Sequence, residues 1–317
     1  MPPPPSPGGG GIWLQVIGRA PALWQVGAFH PFLPGAIMRT LLFSIALLAA
    51  TSPALAQDAV VDTHVHLHKG EASLAEYRAQ LKASGQSVAA FGAMWFGGPN
   101  QALAGNPADI AKRNDELIAL VAKNPDMIVI ATVHPYDGEA ALAEVDRVAA
   151  RGVKLLKIHP HTQKFDAADP RVLTLVKRAG ERGMVVVMDN AGIVPDDNET
   201  LFNLALAAPK TKFIFGHMGG LGFRFWNILA LARTAENLFA DNIYFDISGT
   251  VILAADSPIE AEFLWTIRNV GVDHVLIASD FPQISLAKTL DAFAKLDLTD
   301  EERAKIRSGN ARKLLRL

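Results

Sequence analysis

Along residues 58–317, short apolar runs rich in Val and Ile alternate with longer stretches whose apolar residues recur every three or four positions. The first pattern is that of buried strands and the second that of amphipathic helices. Strands are predicted at Val60–Leu67, Val88–Trp95, Met127–Val133, Val153–His159, Met184–Asp189, Lys212–His217, Ile243–Ile247 and Val275–Asp280. Helices are predicted between them at Ser73–Ala83, Asp109–Lys123, Glu139–Ala150, Pro170–Glu181, Glu199–Ala208, Arg224–Leu238 and Ile259–Val270. A last helical region runs from about Leu286 to the C-terminus. Gly152, Gly183 and Gly271 stand where helices should stop. Asp169-Pro170 and Ser257-Pro258 stand where they should start.

Eight strand–helix alternations with nearly continuous apolar strands point to a parallel sheet covered on both faces. A closed (β/α)₈ barrel of the TIM type, in one domain of 58–317, fits better than an open doubly wound sheet. No Gly-x-Gly-x-x-Gly turn follows the first strand, as a dinucleotide-binding sheet would require. No internal repeat or linker divides this region.

The first 56 residues contain no Asp or Glu, and the first acid is Asp58. Residues 1–37 carry a Pro/Gly run and scattered aromatics without a period, and are expected to be a non-native or disordered extension. Met38-Arg39-Thr40, an apolar run from Leu41 to Ala50, Pro53 and the small-residue site Ala54-Leu55-Ala56 read as a signal peptide over 38–56. The run is too short for a permanent span, which takes about 20 residues. An exported protein, periplasmic or secreted, is the expectation.

Charge and cysteine usage narrow the chemistry. The formal net charge is −2, without the clustered basic excess of a nucleic-acid surface. There are no cysteines, so thiolate metal sites and disulfides are excluded. A bound metal would need His, Asp, Glu or a modified Lys.

Such groups collect at the predicted strand ends, where a barrel of this kind places its chemistry. His64 and His66, a residue apart on a strand, share a face and can reach one metal ion. Lys157 and His159 do the same on the fourth strand. Lys157 is expected to pair with a carboxylate, carboxylation being the other possibility. Asp189, His217, Asp246 with Ser248, and Asp280 end the next four strands. Each alone could cap a helix, but together they converge on one opening.

These residues resemble the amidohydrolase superfamily, and more narrowly its amidohydrolase-related branch, over essentially all of 58–317. The resemblance rests on Asp62-Thr63-His64-Val65-His66, on Gly152 to Pro160, on Gly216-His217-Met218-Gly219, on Ser279-Asp280-Phe281-Pro282 and on the closing Gly309 to Leu315. It implies that His64, His66 and Asp280 bind a divalent metal and that Asp280 moves protons. It also implies that His217 polarises the substrate or holds the reactive water. The family's fifth-strand metal-binding His is replaced by Asp189, so either Asp189 or His159 completes the site. Zinc is the ion expected, with manganese the alternative.

The main expectation is a hydrolase of a small amide, ester or lactone acting through metal-activated water. Decarboxylation or hydration of a small carboxylic acid is the alternative, and a non-catalytic metal- or ligand-binding barrel is a third reading. Selectivity is expected from the loops Phe96–Asn106, His161–Asp169, Gly192–Asn198 and Leu221–Phe225, with His68, His134 and the substrate-binding candidate Arg224. The cluster Leu221 to Trp226 is expected to be an exposed lid or a subunit contact, and a homo-oligomer is allowed.

Overall fold

A computed structural model describes residues 59–317. The extension expected at 1–37 and the signal peptide expected at 38–56 lie outside the described residues. Eight parallel strands form one sheet in chain order: β1 Val60–His66, β2 Val88–Met94, β3 Met127–Thr132, β4 Leu155–Ile158, β5 Val185–Asp189, β6 Lys212–Gly216, β7 Ile243–Asp246 and β8 Val275–Leu276. Helices follow the strands, as the alternating pattern predicts. Val185, Val186, Val187 and Met188 are all buried, which is why β5 shows no polar alternation.

The ladder of β8 is shorter than the predicted Val275–Asp280, because Ile277 to Phe281 leave β7 and run beside β1. There the Asp280 N–H donates to the His64 carbonyl (2.9 Å) and the His66 N–H donates to the Phe281 carbonyl (2.7 Å). The Thr63 hydroxyl donates to the Ile277 carbonyl at 3.1 Å. These bonds close the barrel and set Asp280 beside the two histidines.

Local chemistry fixes the helix ends. The Asp169 carboxylate accepts the Arg171 N–H at 2.8 Å, which starts the helix Pro170–Glu181. Thr299 and Glu302 form a reciprocal capping box before Asp300–Ala304.

The segment predicted as a helix over Arg224–Leu238 is different. Residues His217–Asn227 form tight 3₁₀ turns interrupted by left-handed backbone at Met218, Gly219 and Gly220, and a short helix follows at Ile228–Ala232. The cause is a close backbone crossing. A Cβ at Gly220 would lie 2.1 Å from the Ala191 carbonyl oxygen, so only glycine fits. Phe223 and Trp226 are buried, Trp226 stacking 5.3 Å from Phe215. Of the expected lid or contact cluster, Phe223 and Trp226 are therefore core, while Leu221, Gly222 and Arg224 stand exposed. Among the described residues no helix is long and apolar enough to cross a membrane.

Candidate metal centre

Alternation over the end of β1 sends His64 and His66 to one side, into the barrel, while a register shift before Val65 leaves Asp62 paired with Phe91 on the side of the helix Glu71–Ser84. Asp62, His64 and His66 are all buried. Asp62 binds the structure together: it accepts the Ser279 N–H (2.8 Å) and the Tyr77 hydroxyl (2.9 Å), tying β1 to the strand-eight segment. Burial pushes its carboxyl up to about 6 despite those bonds.

The histidines are each held from behind. His64 Nδ1 faces a carboxylate oxygen of Asp246 at 3.0 Å, and His66 Nδ1 faces the Phe96 carbonyl at 2.6 Å. Both partners are acceptors, so both rings carry their proton on Nδ1. Each Nε2 then presents a lone pair, and the two lone pairs face each other across 3.2 Å. Asp280 adds a carboxylate oxygen 3.3 Å from His66 Nε2 and 3.6 Å from His64 Nε2. Burial, assisted by the charge of Lys157, pushes His64 down to about 4, so it is neutral near pH 7. Burial opposes the charge on Asp280, but the His66 ring beside it and the neighbouring His64 and His217 hold its carboxyl below the usual range.

Three acceptors set this close repel one another, and Lys157 supplies a donor to His64 Nε2 alone, so a cation between them would relieve the cost. A tetrahedral ion with bonds of about 2.0–2.1 Å spaces its ligands about 3.3 Å apart. The observed separations match, and the donor set fits a metal: His64, His66 and Asp280 could hold one divalent ion.

Lys157, wholly buried on β4, donates to the same His64 Nε2 at 2.9 Å. Among the described residues the pairing with a carboxylate predicted for it is not found. The strand-end acids around it lie against imidazoles instead: Asp246 against His64, Asp280 against His66, and Asp189 against His217.

A second group lies alongside, at the ends of β4, β5 and β6. Asp189 stands 3.5 Å from His159 Nε2 and 3.2 Å from His217 Nε2. Burial works against the charge on Asp189, but the His217 hydrogen bond and the nearby positive charges hold its carboxyl far below the usual range. His217 Nδ1 donates to the Ser248 carbonyl at 3.0 Å, so both ring nitrogens meet acceptors. Burial opposes its charge, yet the Asp189 bond and the charges of Asp246, Asp189 and Asp280 push His217 up to about 9. His159 is instead pushed down to about 3, chiefly by burial.

His159 and Asp189 thus face each other and His217, and are not part of the close group of His64, His66 and Asp280. The rings of His64 and His217 are 5.3 Å apart, so the two groups adjoin. Arg224 is not brought to the site. It lies on the outer side of the tight turns, with its guanidinium against Glu262 and over the Phe223 ring. His134 accepts the Tyr136 N–H and donates to the Gln163 carbonyl, a loop-closing role.

Asp246 was given no role by its strand-end position alone, yet it orients the site. One oxygen takes His64, and the other accepts the backbone N–H groups of His217 and Ser248, both at 3.1 Å. The signal available was a single acid closing the apolar run Ile243-Tyr244-Phe245.

Comparison with known proteins places this arrangement among relatives. The amidohydrolase family model matches residues 61–317. A γ-resorcylate decarboxylase from a Polaromonas species is 29% identical over 122 residues, covering 34% of this chain and 35% of that protein. The match thus spans about a third of that relative's length. The 5-carboxyvanillate decarboxylase of Sphingomonas paucimobilis is similar in structure, with a TM-score of 0.63 and 17% identity over 82% of this chain and 99% of the other. A dihydroxybenzoic acid decarboxylase of Polaromonas, solved with manganese and 2-nitroresorcinol, gives a TM-score of 0.60 and 17% identity over 82% and 97%. At that identity the structural likenesses show the shared fold.

Proposed function

Because the chain belongs to the amidohydrolase family, we propose that it is a metal-dependent decarboxylase of a small aromatic carboxylic acid. This places the alternative drawn from the sequence ahead of the hydrolase reading. The observation that carries it is the pairing of a cation site with an imidazole, His217, whose Nε2 faces the Asp189 carboxylate at 3.2 Å. His64, His66 and Asp280 converge for a metal, and His217, which Asp189 and the nearby carboxylates push toward its charged form, stands next to them at the barrel mouth. Two positive centres facing one opening suit a substrate that is an anion. The decarboxylases among the relatives support the same reading, and the manganese of one neighbour makes that ion the first candidate here, ahead of zinc.

A divalent ion held by His64, His66 and Asp280 would fix the acid's oxygens and draw charge out of the ring. The remaining roles fall to the chain itself. Decarboxylation breaks the bond from ring carbon to carboxylate, releases CO₂ and leaves a carbon that must gain a proton. His217 holds a proton at Nε2, and Asp189 behind it keeps that imidazole charged and oriented. Asp246 and the Phe96 carbonyl hold His64 and His66 in the tautomer that leaves Nε2 free. Asp280, kept ionised, is a base rather than an acid here. That property favours hydrolysis as the second reading, in which Asp280 would take a proton from water.

The test is turnover. Protein supplied with manganese is incubated with γ-resorcylate, 5-carboxyvanillate and related hydroxybenzoates. CO₂ should be released and, in heavy water, deuterium should appear at the vacated ring carbon. No CO₂ from any of these acids, together with cleavage of a lactone or ester, would move the assignment to the hydrolase.

A further inference from the structure

Lys157 is wholly buried on β4, paired in the sheet with Thr132 of β3 and Val187 of β5, and the decarboxylation scheme gives it no part. An ammonium group carries only N–H donors and no acceptor. Among the described residues, the one group that accepts from Lys157 is His64 Nε2, at 2.9 Å, and no carboxylate forms an ion pair with it. Buried donors without acceptors are costly, so a lysine kept in an apolar strand calls for a physical reason.

The position of the amine supplies one. His64 keeps its proton on Nδ1, against Asp246, so Nε2 has a single lone pair. That lone pair can accept from Lys157, or it can bind an ion in company with His66 and Asp280, but it cannot do both. Once His64 serves an ion, the Lys157 amine has lost its acceptor and is left buried beside the centre. The neighbouring acids do not replace that acceptor where they stand. Asp246 is taken up by His64 and by the N–H groups of His217 and Ser248, and Asp189 lies against His159 and His217. Asp280 is itself one of the three ligands. What the loaded centre lacks is a group that only accepts hydrogen bonds, and the carboxylate of a bound acid is such a group.

We propose that Lys157 is a substrate-binding residue gated by the cation site: His64 holds its amine until an ion takes Nε2, and the released amine then donates to a carboxylate oxygen of the bound acid. The proposal rests on the reading of this centre as one for small aromatic acids. It names the side chain that recognises the acid, and it gives a reason why ion and acid should bind together.

The experiment is a pair of titrations on the full chain and on Lys157→Met, with Lys157→Gln carrying the same test should the first variant fail to fold. In the first titration, stripped protein takes up manganese in competition with a chelator. Removing the competing amine should tighten manganese binding by about tenfold. A merely damaged site would bind the ion more weakly. In the second, calorimetry with manganese present compares 2-hydroxybenzoate with its neutral analogue 2-hydroxybenzamide. The parent should prefer the acid, and the variant should lose about tenfold of that preference. Manganese binding unchanged or weakened in the folded variant overturns the proposal, as does a preference for the acid that the parent lacks or the variant retains. Neither titration reads turnover, so the two failures separate. CO₂ release with either titration failing sinks the Lys157 assignment alone, and both titrations succeeding without CO₂ release from any acid sinks the decarboxylase reading alone.

Discussion

Replacing Asp246 by asparagine changes one oxygen to an amide nitrogen, and the surroundings dictate where that nitrogen goes. One carboxylate oxygen accepts the N–H groups of His217 and Ser248, both at 3.1 Å, and the Ser248 hydroxyl as well. Turning the amide nitrogen toward those donors would leave them unpaired, at about 1–3 kcal/mol each. The nitrogen therefore faces His64 Nδ1, 3.0 Å away in the parent protein. A donor there forces the imidazole to accept at Nδ1 and to carry its proton on Nε2, aimed at His66 and Asp280. The lone pair that would bind a metal is lost unless the ring pays to restore it. Loss of such an orienting partner weakens metal affinity by roughly 10–100-fold, or about 1.4–2.7 kcal/mol. The assay is titration of stripped protein with zinc or manganese in competition with a chelator, with circular dichroism confirming that the variant folds. An Asp246→Asn protein that binds either ion within about twofold of the parent would refute the tautomer argument.

Other outcomes follow from the same geometry. In metal-free protein His217 should titrate near 9 by NMR, Asp189→Asn should bring it down, and added divalent ion should lower it further by charge repulsion. A raised folded-state value means that His217's contribution to stability is complete below its ordinary value of 6.5 and fades as pH rises through about 9. The melting temperature of the metal-free parent over Asp189→Asn should shrink across that window, and a constant difference would contradict it. Tyr77→Phe leaves a buried oxygen of Asp62 without its donor and should cost about 1–3 kcal/mol in chemical denaturation, whereas no loss would show that the bond at 2.9 Å contributes nothing. If the proposed export is right, protein expressed from Met38 and recovered after secretion should begin at Gln57, and an intact N-terminus would remove the signal-peptide reading.

Much of the barrel was legible because its strands are buried on both faces and its helices on one. Helices Glu139–Ala150 and Pro170–Glu181 fall where apolar spacing and the Asp169-Pro170 start place them. The turn after β6 was not legible. Arg224–Leu238 has a helical pattern, but the crossing of Gly219–Gly220 over Ala191–Gly192 is a contact between distant segments and overrides local preference. The end of strand eight was misread for a similar reason, since it pairs across the closure with β1.

The site divides in the same way. Alternation along β1 brings His64 and His66 together in any register of the barrel. Which of His159 and Asp189 lies nearest them depends on reach across the barrel mouth, which spacing does not encode. Lys157 could be recognised as anomalous in an apolar strand, but its partner, the His64 ring, comes from the opposite side of the sheet closure. Arg224 was singled out by charge and loop position, and only the fold reveals that it faces Glu262.

Anomalous scattering from crystals of protein loaded with manganese or zinc tests the cation centre most directly. One full-occupancy peak is expected between His64 Nε2, His66 Nε2 and the Asp280 carboxylate, at about 2.0–2.2 Å from each. Crystals with no peak there, or with the ion seated on His159 and Asp189 instead, would contradict the account.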